Sequence, residues 1–432
     1  FIGFNALNNA EQSIIQELLE HSNTSIYWDI DAFLFDDNKH SASYFLKKYI
    51  REWKYYQTNQ PNKISNYYQK KKQFQFIEVQ KNVGQAKYVG ELLSKYSRDT
   101  LNKTAIVLGD EKLLIPLINS LPANISSVNI TMGVPLNTFQ LTSFFELLLA
   151  SHLYPKPSLY YKDVLAILNQ PAATFLIPDT KKIIGAVNAQ NISHLTLESL
   201  RSFSEPDNQL VIEQIFGNWQ NDSKKAIHTC MHLLELIGSK LVDHPIERSV
   251  AIELYHTFSK ISSLNASFSY LNSIKTVSSL FSEISAKTTL DFKGDAYNGL
   301  QIMGILETRV LDFENVIILS VNEGVLPSGK SNSSFITHDL KHQFGLPKYT
   351  EKDAIYTYHF YHLLHRSKNI TLLYNNQSDG INAGEKSRFI YQLETEKHPN
   401  HYINKILLAP QIIIKNKKLR SISKTESVMT RR

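Results

Sequence analysis

The sequence is poor in cysteine, the residue that stabilises folds through disulfide bonds or through thiolate–metal sites. Cys230 is the only cysteine among 432 residues, so an internal disulfide is impossible and thiolate-rich zinc or iron–sulfur sites are excluded. This composition is typical of a reducing compartment, and we expect a cytoplasmic location. The longest apolar runs, residues 144–150 and 316–319, are far shorter than the roughly 20 residues of a membrane-spanning helix, so we expect no membrane contact.

The residues that are present describe a globular chain. Hydrophobic residues make up 42% of it and charged residues 20%, and 22 Tyr and 22 Phe are enough to bury sizeable cores. A chain of 432 residues exceeds the usual size of one core, which predicts two or three domains. The net charge of +6 is mild and does not by itself indicate a nucleic-acid binder. Because the chain begins at Phe1 in a strand-like segment, we expect it to be part of a longer protein.

Strand-like and helix-like segments alternate in both the first and the last part of the chain, which predicts an α/β fold with a parallel sheet covered by helices. Between them, residues 138–287 have almost no strand pattern and instead contain periodic helices at 223–241, 245–264 and 271–286. The predicted strands are 1–7, 25–29, 74–79, 104–108, 128–132, 299–306, 315–321 and 369–374, and the other predicted helices are 10–21, 44–56, 83–96, 112–120, 337–343 and 351–364.

One segment fits the phosphate-loop pattern, with Gly324, Gly329, Lys330 and Ser331 at the required spacing after an apolar strand. However, Pro327 removes one of the backbone N–H groups that would bind a phosphate. The residues after the motif also delay the next helix, whereas a phosphate loop leads directly into one. Nucleotide binding by residues 324–331 is therefore an alternative hypothesis.

Two longer segments resemble conserved motifs of UvrD-like superfamily 1 helicases. Residues 300–327, LQIMGILETRVLDFENVIILSVNEGVLP, resemble the fifth motif and the strand and turn that follow it. Residues 351–374, EKDAIYTYHFYHLLHRSKNITLLY, resemble the sixth motif, an acidic-start helix that ends in an arginine before a strand. Both motifs have the order and spacing of that superfamily.

Within that superfamily the chain resembles the AddB-type subunits of helicase-nucleases, which end in a PD-(D/E)XK nuclease domain. Residues 1–19, 105–112 and 128–135 resemble further segments of this family. The resemblance implies a role in DNA double-strand-break repair and recombination, with an AddA-type helicase subunit and single-stranded or duplex-end DNA as partners. It also implies that a first motor half precedes Phe1 and that a nuclease, which would make the parent an exonuclease, follows Arg432.

The resemblance implies that the main domain of the chain is RecA-like and related to P-loop NTPases. An all-helical insertion would interrupt this domain. We expect no catalytic residue within this chain. The implied divisions are the end of a first RecA-like domain (1–57), a linker (58–73), a second RecA-like domain (74–140 and 290–400), the helical insertion (141–289) and a basic tail leading to the nuclease (401–432).

The family pattern also implies a degenerate nucleotide cleft, formed by Arg309, Asp312, Glu323 and Arg366. Two positions depart from the helicase pattern: Gly109 stands where an arginine meets the γ-phosphate, and Val310 replaces a glycine. Phosphoryl transfer depends on positioned cations, so we expect the ATPase to be weakened or lost. We expect no cofactor in this chain, although ATP and Mg²⁺ could bind in the parent complex.

A basic segment rich in aromatic residues is the candidate DNA contact. Lysines can attract the backbone of a single strand while aromatic rings stack on its bases. A polar linker that is merely solvated explains the same composition equally well. The candidate residues are Tyr67, Tyr68, Lys70, Lys71 and Lys72.

Three smaller groups of polar residues have simple structural explanations. His228, Cys230 and His232 fit a partly exposed helix face, because no glutamate follows the first histidine as in zinc proteases. Asp29 and Asp31 resemble a phosphatase Asp-x-Asp pair but fit a solvated strand end. His359, His362 and His365 fit a polar helix face. We expect no metal site.

Three hypotheses of function remain. The chain is a DNA-binding scaffold without ATPase activity, an active nucleotide-binding ATPase that uses residues 324–331, or a docking module for a motor subunit.

Overall fold

The computed structural model describes residues 1–38, 40–61, 65–125, 127–154, 158–268, 270–292, 298–328, 334–377 and 384–408. The chain forms two compact units: unit 1 comprises Phe1–Ser126 and Gly304–Arg432, and unit 2 comprises Ser127–Met303. None of the helices in the described ranges combines the length and apolar character needed to cross a lipid bilayer.

The N-terminal part of unit 1 is built from helices and aromatic packing. The first helix is capped by Asn8, whose side chain accepts the Glu11 N–H while the Glu11 carboxylate accepts the Asn8 N–H. The predicted strands at 1–7 and 25–29 are wrong, because these segments meet only at a bridge between Ile2 and Tyr27. The elements up to residue 125 are α1 (Asn9–His21), α2 (Ala32–Asp36), α3 (Tyr44–Glu52), β1 (Lys72–Val79), α4 (Asn82–Ser94), α5 (Arg98–Asn102), β2 (Thr104–Leu108) and α6 (Leu114–Ile118).

Unit 2 is largely helical, as the periodicity predicts. Its core contains Phe145, Trp219, Cys230, Phe258 and Phe281, all buried. Its elements are β3 (Val128–Ile130), β4 (Val134–Pro135), α7 (Gln140–Ser151), β5 (Leu159–Tyr160), α8 (Tyr161–Leu168), α9 (Pro171–Leu176), α10 (Thr180–Ala189), β6 (His194–Leu195), α11 (Leu197–Ser202), α12 (Gln209–Phe216), α13 (Ser223–Lys240), α14 (Pro245–Phe268), α15 (Ile274–Lys287), β7 (Thr289–Leu290) and β8 (Leu300–Gly304), which ends at the unit boundary.

The chain then returns to unit 1 and supplies three more strands of its sheet. Single turns of 3-10 helix also occur in both units, at Ser41–Ser43, Lys54–Gln57, Glu111–Leu113, Leu136–Thr138 and Pro206–Asn208. The elements of this last part are β9 (Asn315–Leu319), α16 (His338–Gln343), α17 (Tyr349–Arg366), β10 (Asn369–Asn375), α18 (Arg388–Thr395) and β11 (His401–Leu408).

The sheet of unit 1 is parallel, which confirms the predicted α/β class. Its strands lie in the order β11, β1, β10, β9, β2. Every residue of β2 and β9 is buried, and strands covered on both faces have this uninterrupted apolar character. Residues His401–Leu408, predicted to begin a basic tail, instead form β11, which pairs with β1.

Candidate functional site

A cluster of charged side chains connects the N-terminal part of unit 1 to the last turn of α17. Arg366 donates two hydrogen bonds to the Asp29 carboxylate, with N···O distances of 2.8 and 3.1 Å. It also contacts Asp312 at 3.0 Å. His362 Nε2 lies 2.7 Å from Asp29 Oδ2, and the Tyr358 hydroxyl donates to the Asp29 carbonyl oxygen at 3.1 Å. The proposed solvated position of Asp29 is therefore wrong, because its carboxylate is engaged by two side chains of α17.

The surroundings of the cluster lower the pKa of Asp29 and raise the pKa values of Arg366 and Tyr358. Burial opposes ionisation of Asp29, but the hydrogen bonds and charges of His362 and Arg366 outweigh it and hold the pKa of Asp29 below its ordinary range. The hydrogen bond to Asp29, reinforced by Asp312, raises the pKa of Arg366. Burial, together with the charge of Asp29, raises the pKa of Tyr358. Asp29 and Arg366 are thus held as an ion pair at neutral pH.

Of the four residues assigned to a nucleotide cleft, three lie around Tyr358. The charges of Arg309, Asp312 and Arg366 all act on the pKa of Tyr358. Arg309 also donates to the Gly3 carbonyl oxygen at 3.3 Å. The two arginines therefore belong to one part of unit 1.

Glu323 does not join that group. It forms an ion pair with Arg388, with a 3.0 Å distance between Nε and Oε1, and Arg388 also contacts Asp353 near the start of α17. Arg366 is in the last turn of this helix, about 20 Å further along its axis at 1.5 Å per residue. Glu323 and Arg366 are therefore held near opposite ends of α17, and the structure groups Glu323 with Arg388 rather than with Arg366.

The prediction that the α17 histidines form a polar face was also wrong. His359, His362 and His365 are all buried. Burial lowers the pKa of His359 to about 4 and that of His365 well below its ordinary range. Neither ring nitrogen of His365 has a hydrogen-bond partner among the described residues, and the same holds for Nδ1 of His359 and of His362.

A basic groove lies beside the cluster, where β1 and β10 begin. Its volume is about 660 Å³. Among the described residues that line it, none is acidic. The Lys70 ammonium lies over the Tyr67 ring, 4.1 Å from its centroid, and the Arg366 guanidinium carbon lies 5.3 Å from the same centroid. The groove is lined by Tyr67, Lys70, Lys71, Lys72, Gln73, His365, Arg366, Ser367, Lys368 and Asn369.

Of the five candidate DNA contacts, three are exposed and two are buried. Tyr67 is 39% exposed, and Lys70 and Lys71 are exposed as well. Tyr68 and Lys72 are each only 2% exposed, which is incompatible with a direct DNA contact for either.

Lys72 and Tyr68 instead have structural roles. The Lys72 ammonium donates to the carbonyl oxygens of His365 and Ser367, each at 2.7 Å, and so caps the end of α17. Burial lowers the pKa of Lys72 to about 8. The Tyr68 ring packs edge-on against His401 of β11.

Asp31 holds in place the segment that precedes β1 and carries Tyr67 and Tyr68. Its side chain is fully buried and accepts the N–H groups of Phe33, Tyr67 and Tyr68 at 3.1, 2.6 and 3.0 Å. The stretch from residue 65 to β1, predicted as a linker, is thus held against the folded N-terminal part.

The remaining candidate groups do not form a comparable site in the described residues. Gly324 lies in a turn after β9, and Lys330 lies outside the described residues. Cys230 is buried in the core of unit 2, where burial raises the pKa of its thiol. His228 is exposed, and His232 lies 3.2 Å from the Gln214 side-chain oxygen, which agrees with a partly exposed helix face.

Sequence reasoning missed the connection of Asp29 to α17 and the contribution of Lys368 to the groove. The Asp-x-Asp pattern marked Asp29 but gave no signal for its partners in α17, more than 300 residues away in sequence. No family model matches this chain and no curated protein shows significant similarity to it, so the AddB-type resemblance depends on the motifs quoted above.

A separate buried histidine makes stability dependent on pH. His40 Nδ1 accepts the Ala42 N–H, and burial lowers the pKa of His40 from 6.5 to about 4. The unfolded chain therefore binds a proton near pH 6.5 that the folded chain binds only near pH 4. The contribution of His40 is complete above pH 6.5 and should fall by up to about 3 kcal/mol as the pH drops to 4.

The variant His40→Asn keeps a hydrogen-bond acceptor at this position but cannot titrate. Urea unfolding of both proteins at several pH values between 7 and 4 should show a flatter decline for the variant. Parallel declines would contradict the assignment to His40.

Proposed function

We propose that unit 1 binds single-stranded DNA through the basic groove, as the helicase-like scaffold of an AddB-type helicase-nuclease in DNA double-strand-break repair. The observation that carries this proposal is the groove, with its exposed lysines, an exposed tyrosine and no acidic residue among the described residues that line it. Lysines that neutralise phosphates release counterions, and aromatic rings stack on bases of any sequence. A base that stacks on Tyr67 would replace the Lys70 ammonium over the ring and leave it near the adjacent phosphate.

Two features favour binding over ATP hydrolysis. Arg366 is engaged by both Asp29 and Asp312, so its charge is neutralised. A guanidinium that stabilises a transferring phosphate must be free to meet it. Position 109, where the helicase pattern has an arginine, is glycine. Within this proposal unit 1 is a RecA-like domain that retains the shape of a motor without its chemistry.

The proposal assigns two further tasks to other parts of the complex. An AddA-type subunit would supply ATP-driven translocation, and a nuclease domain of the parent polypeptide would cut the strand. The role of unit 1 would be to hold the strand between them. The parallel sheet, together with the position of Arg309 and Arg366 around Tyr358, supports the motor-like part of this proposal.

The test is the salt dependence of DNA binding. The purified chain and a fluorescent oligo-dT strand are titrated at several salt concentrations, and binding is followed by fluorescence anisotropy. We expect Lys70→Ala/Lys71→Ala to weaken binding and to reduce the slope of log affinity against log salt by about 1.4, or about 0.7 per lost phosphate contact. The Tyr67→Ala variant should lose about 1–3 kcal/mol of binding free energy.

The matched control is Lys224→Ala/Lys225→Ala, an adjacent pair of exposed lysines on α13 of unit 2, which should leave affinity and slope unchanged. Equal slopes for the groove variant and the parent chain would refute this binding site. If the parent chain captures a motor subunit but binds no DNA even at low salt, the docking hypothesis is favoured instead.

A further inference from the structure

The buried face of α17 contains polar atoms that the fold leaves without partners. His365 is 1% exposed, and both of its ring nitrogens lack a hydrogen-bond partner among the described residues. The Nδ1 atom of buried His362 is also without one. An unsatisfied polar atom in a protein interior is unfavourable, so such a group calls for a ligand, an ion or a water molecule.

The side chains of His362 and His365 converge with a carboxylate. His362 and His365 are three positions apart on α17 and therefore project from the same side of the helix. Asp29 approaches them from the N-terminal part of unit 1. One ligand atom from each of the three residues can be chosen so that all lie within 4.8 Å of one another. Two elements that are distant in sequence thus bring three metal-ligating groups together.

We propose that Asp29, His362 and His365 form a binding site for a divalent first-row transition-metal ion. Two imidazoles and one carboxylate are a common ligand set for Zn²⁺ and for Fe²⁺. Metal–ligand bonds of about 2.0–2.2 Å place neighbouring ligand atoms about 3–3.5 Å apart. Rotation of the imidazoles would bring the ligand atoms, which now lie within 4.8 Å of one another, to that spacing.

Arg366 is the competitor that such an ion must displace. Its guanidinium holds both oxygens of Asp29, at 2.8 and 3.1 Å, and a second carboxylate, Asp312, lies 3.0 Å away. When a metal takes the Asp29 carboxylate, Arg366 keeps its contact with Asp312. The site therefore accepts the ion without leaving the arginine unpaired.

Zn²⁺ and Co²⁺ are the probes for this site. The chain is prepared without a histidine tag, stripped with a chelator and titrated with Zn²⁺ by calorimetry and by competition with a chromophoric chelator. We expect one tightly bound Zn²⁺ per chain, a Zn²⁺-dependent rise in unfolding temperature and visible absorption bands with Co²⁺. The titration is repeated in His228→Ala, which removes the histidine pair of α13 as a competing site.

The decisive variant is His365→Leu, with His359→Leu as the matched control on the same helix. His365→Leu replaces two unpartnered nitrogens by apolar atoms, so in chelator it should unfold at the same temperature as the parent chain or higher. Its Zn²⁺ affinity should fall by about a hundredfold or more, whereas His359→Leu should bind as the parent does. Absence of stoichiometric binding, unchanged affinity in His365→Leu, or an equal loss in both variants would overturn the proposal.

Discussion

Replacing Phe258 by alanine is expected to lower the free energy of unfolding of unit 2 by about 4 kcal/mol. Phe258 is fully buried and stacks on Phe281, with ring centroids 4.6 Å apart, and it packs edge-on against Phe145 at 5.7 Å. Truncation removes the apolar area of one ring and leaves a cavity between α7, α14 and α15, the helices that carry these three rings.

Urea unfolding followed by far-ultraviolet circular dichroism measures this loss. Phe268→Ala is the matched control, because Phe268 is the last residue of the same helix and its side chain is largely exposed. It should change stability by less than about 0.5 kcal/mol. Similar losses for the two variants would show that the ring stack does not stabilise unit 2.

The second large effect is expected at Asp31 in unit 1. Asp31→Ala removes the acceptor for three backbone N–H groups, two of which belong to Tyr67 and Tyr68. Buried donors without partners cost about 1–3 kcal/mol each, so we expect a loss of about 3 kcal/mol after partial relaxation. The segment that carries Tyr67 should also become more susceptible to proteolysis.

Asp31→Asn keeps one acceptor oxygen and should lose roughly half as much stability. Asp36→Ala should have little effect, because it removes an exposed carboxylate from the end of α2, the short helix that Asp31 caps. Chemical denaturation and limited proteolysis distinguish the three variants. Full stability in Asp31→Ala would mean that these hydrogen bonds do not hold the segment.

The central strands of the sheet could be predicted from the sequence because they are buried on both faces. β2 and β9 are covered on both faces, so each is an uninterrupted apolar run, and prediction placed β2 correctly to the residue. β11 escaped prediction because it is an edge strand, in which exposed and partly exposed positions such as Lys405 dilute the pattern.

The N-terminal strands were predicted wrongly because apolar periodicity does not reveal what the side chains pack against. Trp28 and Ile30 are buried, as a strand model requires, but they pack in a core with Tyr49 and Trp53 of the helical segments. A short apolar run has the same appearance in either setting.

The site was only partly predictable for a related reason. Histidine and tyrosine have apolar ring bodies and polar tips, so residues 357–365 are all buried although the mean hydropathy of α17 as a whole is near neutral. The burial of Lys72 depends on carbonyl groups at the end of α17, nearly 300 residues away in sequence, and local composition contains no trace of them. Arg309 and Arg366 were assigned to one cleft only through the resemblance to helicase motifs, and that assignment stays a prediction.

The order of strands in the sheet has a consequence for biosynthesis. β1 and β2 leave the ribosome before unit 2, whereas β9, β10 and β11 follow it, and in the described part of the sheet both neighbours of β1 are the late strands β10 and β11. At roughly 5–20 residues per second, the nascent β1 strand waits for tens of seconds without its neighbours. Unit 2 can fold during that interval, while the early apolar strands remain available to chaperones.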